Sequence, residues 1–277
     1  MPASRWNKIV NDMLDWFDQE EEEILDELYL SQIVTHVVQE DDQLDGESDL
    51  ADDNDEDQIP STLPVLPLRG LVVYPQTAVP LTIGQPRSVK LIDDVMASDE
   101  RLIALVASRH PELETPGPDD LYPIGTIAIV HRLFRAPDET IRLVVQGLMR
   151  FRLGEFIQQE PYLKAHVEVL PEVIEDDLEI EALARNARDQ FEHIADLIPS
   201  IPRELVSSVV ALEDALSIVY TIANFQRMEL DDAQELLELD STTEKLKKLV
   251  SIMAREAEVL EIGQRIQKEA RSEIDKV

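Results

Sequence analysis

Two serine–lysine pairs, Ser241 with Lys245 and Ser272 with Lys276, stand at a spacing that one helical turn would bring together. Such a pair can run nucleophilic acyl chemistry only if the lysine is desolvated and gives up its proton. Both pairs read as lying on polar, solvated faces, so the lysines keep their charge and no catalytic residue is expected. A calcium-loop pattern runs through Asp41, Gln43, Asp45, Gly46, Glu47, Asp49 and Asp52. Gln occupies its third position, and the short Asp52 replaces the usual bidentate Glu. So acidic a tract makes such spacing by composition alone, and no metal is assigned. His36, His110, His131, His166 and His193 share no ligand spacing. No glycine is followed by lysine, so the phosphate-cradling Gly-x4-Gly-Lys-Ser/Thr loop is absent and no cofactor-binding residue is expected. There are no cysteines, which excludes a disulfide framework, a thiolate zinc site and a Cys nucleophile.

The chemistry that remains is recognition. In the loop from Tyr74 to Pro80, the candidates for contact with a polypeptide are Tyr74, Pro75, Val79 and Pro80. Prolines stiffen such a loop, and tyrosine offers a large contact area with few rotatable bonds, so little order is lost on binding. The alternative is that Tyr74 and Val79 fill a core. A second surface is the stripe Leu246, Leu249, Met253, Leu260 and Ile266, which suits association between helices or packing within the chain.

Four segments must position these residues. The formal net charge is -33. Residues 1–60 hold 20 Asp/Glu and 2 Lys/Arg, giving -18; the other 217 residues hold 38 acids and 23 bases, giving -15. This balance repels nucleic-acid phosphates and anionic lipid heads, so neither nucleic acid nor membrane is expected as a partner. Residues 1–61 form an acidic extension. Trp6, Val10, Met13 and Phe17 predict an amphipathic helix in its first part, and the near-absence of large apolar residues over 40–61 predicts a disordered linker. Residues 62–172 alternate short apolar runs with proline and glycine. The runs Leu71–Val73, Leu102–Val106, Thr126–Val130, Ile141–Val145 and His166–Leu170 read as strands, prolines as strand ends or edges, and Ser88–Met96 as a helix. Residues 173–242 read as a helical bundle, with helices near 176–197, 203–211, 213–224 and 230–238. Residues 243–277 begin a long coiled-coil-like helix that Thr242 or Thr243 can cap, and its pattern is expected to continue beyond Val277. The fold class is α+β: a small, mostly antiparallel β-barrel or folded sheet with one helix, then the bundle, then the long helix.

Residues Leu63-Pro64-Val65-Leu66-Pro67-Leu68-Arg69, followed by Val72-Val73-Tyr74-Pro75, resemble the opening signature of Lon-family N-terminal domains. Val79-Pro80-Leu81, Ile83-Gly84, Asp120-Leu121-Tyr122, Gly125-Thr126, Gly147 with Arg150, and Pro161 to Ala165 continue the likeness, which covers about 62–277. The resemblance implies a PUA-like β fold and a role in capturing unfolded or damaged protein for ATP-dependent degradation. In such proteases the long helix leads to an ATPase and a Ser–Lys protease module, assembled as a hexamer. Neither module is expected in this chain, so it is expected not to be an enzyme itself. ATP and magnesium are implied only for the missing ATPase. The absence of any membrane-spanning run or signal peptide makes the cytoplasm the expected location. The alternative is a free-standing PUA-like adaptor that binds a peptide or small ligand.

Overall fold

The computed structural model describes residues 59–136, 140–173, 177–198, 201, 203–226 and 228–274. The amphipathic helix expected near the start, most of the acidic linker and the calcium-like pattern Asp41–Asp52 lie outside the described residues. Two compact units emerge, the first from the described residues up to Glu172 plus Glu229–Glu238, the second from Val173–Met228 and Leu239 onward.

The first unit is built on six strands: β1 Thr62–Leu68, β2 Ala78–Ile83, β3 Leu102–Ala107, β4 Ile124–Arg135, β5 Ile141–Gln158 and β6 Lys164–Leu170. Their order is β2-β5-β4-β3-β1-β6, and β6 also pairs with β5. Five strands therefore close into a ring, and β2 lies along the other part of the same β5 edge. Only the β1–β3 pairing is parallel. Helix α1, Pro86–Met96, buries Leu91, Ile92 and Val95 against Leu66, Val79, Ile103 and Leu143.

Prolines sit inside β1 rather than at its ends. Leu68 C=O accepts from Ser108 N–H at 2.7 Å, and Val65 N–H donates to Leu163 C=O at 2.8 Å. Main-chain groups alternate along a strand, so Pro67 turns its missing donor away from β3. Pairing with β3 starts at Val65, one residue after Pro64. Neither proline removes a ladder bond. The run Leu71–Val73, expected as a strand, is irregular backbone between β1 and β2.

The second unit contains α2 Leu178–Leu197, α3 Arg203–Val210, α4 Ala215–Phe225 and α6 Thr242–Ile274. Asp177 caps α2 by accepting from Ile180 N–H at 2.9 Å, and Asp214 caps α4 from Ser217 N–H at 2.7 Å. Helix α4 is apolar on nearly every side and is buried from Ile218 to Ala223, whereas α2 buries one stripe, Ile180, Ala184, Ala187, Phe191 and Ile194, with Ala195 beside it. The cap of α6 is Ser241, whose hydroxyl accepts from Glu244 N–H at 3.3 Å; Thr242 instead donates to Val173 C=O at 3.0 Å.

Helix α5, Leu230–Glu238, reads in sequence as one more helix of the bundle. It packs in the first unit, where Arg150 of β5 and Tyr74 of the β1–β2 loop donate to its backbone carbonyls.

Candidate polypeptide-binding surface

The loop proposed from sequence is built into the core. Tyr74 and Val79 are each 2% exposed, Pro75 is buried and Pro80 half-buried. The Tyr74 hydroxyl donates to Ala233 C=O of α5 at 3.0 Å, and burial drives its pKa far above the ordinary phenol range. Thr77 Oγ1 donates to Tyr74 C=O at 2.7 Å, and Thr126 Oγ1 to Val73 C=O at 2.6 Å. Gly147 permits this approach, because a Cβ there would lie 2.1 Å from the Tyr74 carbonyl oxygen. Tyr74, Pro75 and Val79 therefore cannot offer a free surface in this conformation. An apolar residue between β-strands is core as readily as contact, and packing decided for core.

Beside this loop is a groove of about 410 Å³. Its walls are Leu66, Pro67 and Leu68 of β1 and Leu81, Thr82 and Ile83 of β2; Leu71, Gly84, Gln85, Ser88 and Pro111 also line it. The only charged residue on its lining is Arg69. The groove's mixture of aliphatic walls and main-chain edges suits an extended, uncharged segment of polypeptide. Sequence reasoning takes Pro67 and Pro80 as strand ends or edges and Val79 and Pro80 as contacts, whereas the lining is formed by Pro67, Leu81 and Thr82.

Two other clefts carry different chemistry. One of about 600 Å³ is lined by Val89, Lys90, Asp93 and Arg135, and the Asp93 and Arg135 side chains pair across it. The other, of about 620 Å³, lies in the helical unit and presents Asp177, Glu181, Glu213 and Asp214 against a single base, Arg188. Four carboxylates make it a poor counterpart for a neutral apolar chain, despite its size.

The association stripe divides in two. Leu246, Leu249 and Met253 are wholly buried inside the helical unit and are not available to another subunit. Leu260 is half-buried, and Ile266 is 60% exposed with Val259 and Ile262 beside it on α6. Lys245 is also wholly buried, which corrects its expected solvated position; its Nζ lies 5.2 Å from the Tyr220 ring centroid. The hydroxyl of Ser241 is occupied as the helix cap. Ser272 and Lys276 fall outside the side chains described.

Residues 62–255 match the family model described as the ATP-dependent protease La (LON) substrate-binding domain. The chain belongs to this Lon family. It is 42% identical over 223 residues to the Lon protease of Dictyoglomus thermophilum, covering 80% of this chain and 28% of that one. It is equally 42% identical over 223 residues to Lon protease 1 of Herpetosiphon aurantiacus, covering 79% and 27%. The chain thus spans little more than a quarter of these curated relatives. The N-terminal domain of a Mycobacterium avium complex Lon protease matches with a TM-score of 0.58 at 23% identity, covering 70% of this chain and 98% of that one, which shows a shared fold. In this Lon domain the opening Leu-Pro signature forms β1, one wall of the apolar groove. Among the described residues, no helix is long and apolar enough to cross a membrane.

Proposed function

We propose that this chain captures unfolded or damaged polypeptide for a Lon protease, in the cytoplasm, and that the ATPase and Ser–Lys protease modules belong to other parts of the parent protein. The observation that carries this reading is a groove with aliphatic walls, polar residues and no carboxylate on its lining, in a domain that matches the Lon substrate-binding family. Unfolded chains present apolar segments that folded proteins hide, so aliphatic walls favour them. Binding on the order of micromolar per copy suffices, because assembly into a hexamer would multiply weak contacts. The exposed side of α6 around Val259, Ile262 and Ile266 is the surface proposed for that assembly. The ring of strands is read as a PUA-like barrel on the family likeness. The ATPase and peptidase activities are assigned to those other parts of the parent protein because the sequence has no Gly-x4-Gly-Lys-Ser/Thr loop and the Ser241 hydroxyl is occupied as a helix cap.

The test is a titration of a fluorescently labelled unfolded protein, and of its folded form, against the chain and a Leu71→Asp/Pro111→Asp variant. Pro111 is exposed at the groove and Leu71, half-buried, also packs against the core, so circular dichroism must show that the variant stays folded. Unfolded protein should bind the parent chain and bind the variant several-fold more weakly. Equal binding of folded and unfolded protein would remove the recognition role.

A further inference from the structure

The walls of the groove are strand edges with main-chain groups to spare. Thr77 C=O accepts from Gly147 N–H at 2.9 Å, and Val79, Leu81 and Ile83 stand opposite Val145, Leu143 and Ile141. Alternation along an antiparallel ladder then turns the main-chain groups of Ala78, Pro80 and Thr82 away from β5. Proline fits this parity, since Pro80 loses no bond to β5. Among the described residues, β2 pairs with no strand on this outer side, and no backbone hydrogen bond to Ala78, Pro80 or Thr82 crosses it. On the opposite wall Pro67 turns its carbonyl away from β3 by the same parity. Thr82 is exposed, and both Pro67 and Thr82 line the groove.

Resting on the reading of this groove as the polypeptide-binding surface, we infer that an extended segment of unfolded polypeptide adds to the outer edge of β2 as an extra strand. Its N–H groups donate to the carbonyls of Pro80 and Thr82, and one of its carbonyls accepts from Thr82 N–H. These two carbonyls are two residues apart on one edge, the period at which an extended partner presents its own N–H groups. Side chains on one face of the added strand run along the groove lining, where Leu71 and Pro111 are accessible and Leu66, Leu81 and Ile83 lie buried beneath.

Such a mode reads the backbone, which every sequence shares, and uses the groove only to favour apolar side chains. A folded protein has already spent its main-chain groups on its own helices and sheets, so it cannot compete. Pro67 and Pro80 withdraw a donor from each edge. That blunts the edges against zipping onto a second copy of the chain and keeps capture reversible.

The decisive probe is a labelled ten-residue Leu/Val-rich peptide beside its analogue with backbone amides replaced by esters, which keeps every side chain and deletes the N–H donors. Fluorescence anisotropy with the full chain should show the ester analogue binding roughly tenfold more weakly. Thr82→Pro deletes the outward N–H that the added strand uses without touching the β5 ladder, as Pro80 already demonstrates, and should weaken the parent peptide several-fold. Thr82→Val keeps that N–H and should bind as the wild type does. If the amide and ester peptides bind equally, strand addition is wrong while recognition by the groove stands. If neither peptide binds, both readings fall. If Thr82→Pro stays folded by circular dichroism and binds unchanged, β2 is not the edge used.

Discussion

Arg150 Nε lies 2.8 Å from Glu172 Oε1, with the arginine wholly enclosed and the glutamate side chain 15% exposed. The same guanidinium donates through Nη1 to Leu237 C=O at 3.0 Å and through Nη2 to Pro171 C=O at 3.1 Å. It therefore ties the last residues of the sheet to the C-terminal carbonyls of α5, where the helix dipole also favours a cation. Gln234 Nε2 donates to Ile124 C=O at 2.9 Å, and the Tyr122 hydroxyl to Asp231 at 2.5 Å, so α5 is held along its length.

Arg150→Leu should cost about 3–5 kcal/mol, because it leaves a carboxylate and helix-end carbonyls without their cation in a closed site. Glu172→Gln keeps a hydrogen-bonding partner at the half-open end and should cost less. Urea unfolding of the two variants checks the order; a milder effect for Arg150→Leu would mean that the clasp contributes little.

Glycine at 147 and at 125 is required by close backbone approach. A Cβ would lie 2.1 Å from Tyr74 O at Gly147 and 2.3 Å from Leu105 O at Gly125. Backbone on both sides cannot give way, so Gly147→Ala and Gly125→Ala should each destabilise by several kcal/mol or prevent folding, about as much as the larger packing defects. Gly263→Ala, with nothing within 4 Å of its Cβ position, is the control. It should raise stability by roughly 0.5–1 kcal/mol through helix propensity. Thermal melts of soluble protein would show the contrast.

Three phenols should make the fold sensitive to alkali. Burial raises Tyr74 far above its ordinary 10.0, and burial followed by the hydrogen bond to Asp231 pushes Tyr122 up to about 12. Tyr162 is raised as well, by burial first and then by Asp94. Below the unfolded value all three are protonated in both states, and their contribution is fully present. Above it the unfolded chain releases protons first, so stability is lost as pH rises through the folded values. The urea midpoint should begin to fall near pH 10, and less steeply in Tyr74→Phe. That variant should also lose about 1 kcal/mol at neutral pH with the bond to Ala233. A parallel pH profile for the variant would show that Tyr74 is not the main contributor.

The exposed side of α6 should support self-association. Val259, Ile262 and Ile266 are 57%, 44% and 60% exposed. Light scattering should give a mass that rises with concentration for the chain and stays monomeric for Val259→Lys/Ile262→Lys/Ile266→Lys. A monomer at every concentration would remove the assembly surface. Leu249→Lys would be uninformative here, since it buries a charge and unfolds the helical unit.

Among the described residues, the α-helices and four of the six strands, β3 to β6, are legible in local pattern, whereas β1 and β2, each carrying proline, are not. Periodicity is local: the stripe Ile180, Ala184, Ala187, Phe191 and Ile194 marks a helix whatever it packs against, and the runs at β3, β4 and β6 mark strands in the same way. The Lon signature was legible for a related reason, since Leu63 to Arg69 and Val72 to Pro75 are contiguous. Tertiary structure decided everything that depends on which faces meet. Tyr74 and Val79 look equally fit for core or contact until the sheet, α1 and α5 close over them. Lys245 reads as solvated from its neighbours, yet the packing of α4 beside α6 encloses it. β5 runs to Gln158 because its edge is shared between β2 and β6, a pairing no local pattern encodes. Helix α5 looks like one more member of the bundle. Only the buried guanidinium of Arg150, placed by β5 and more than eighty residues away in sequence, draws its C-terminal carbonyls to the sheet, because an enclosed cation must find acceptors wherever the fold can supply them.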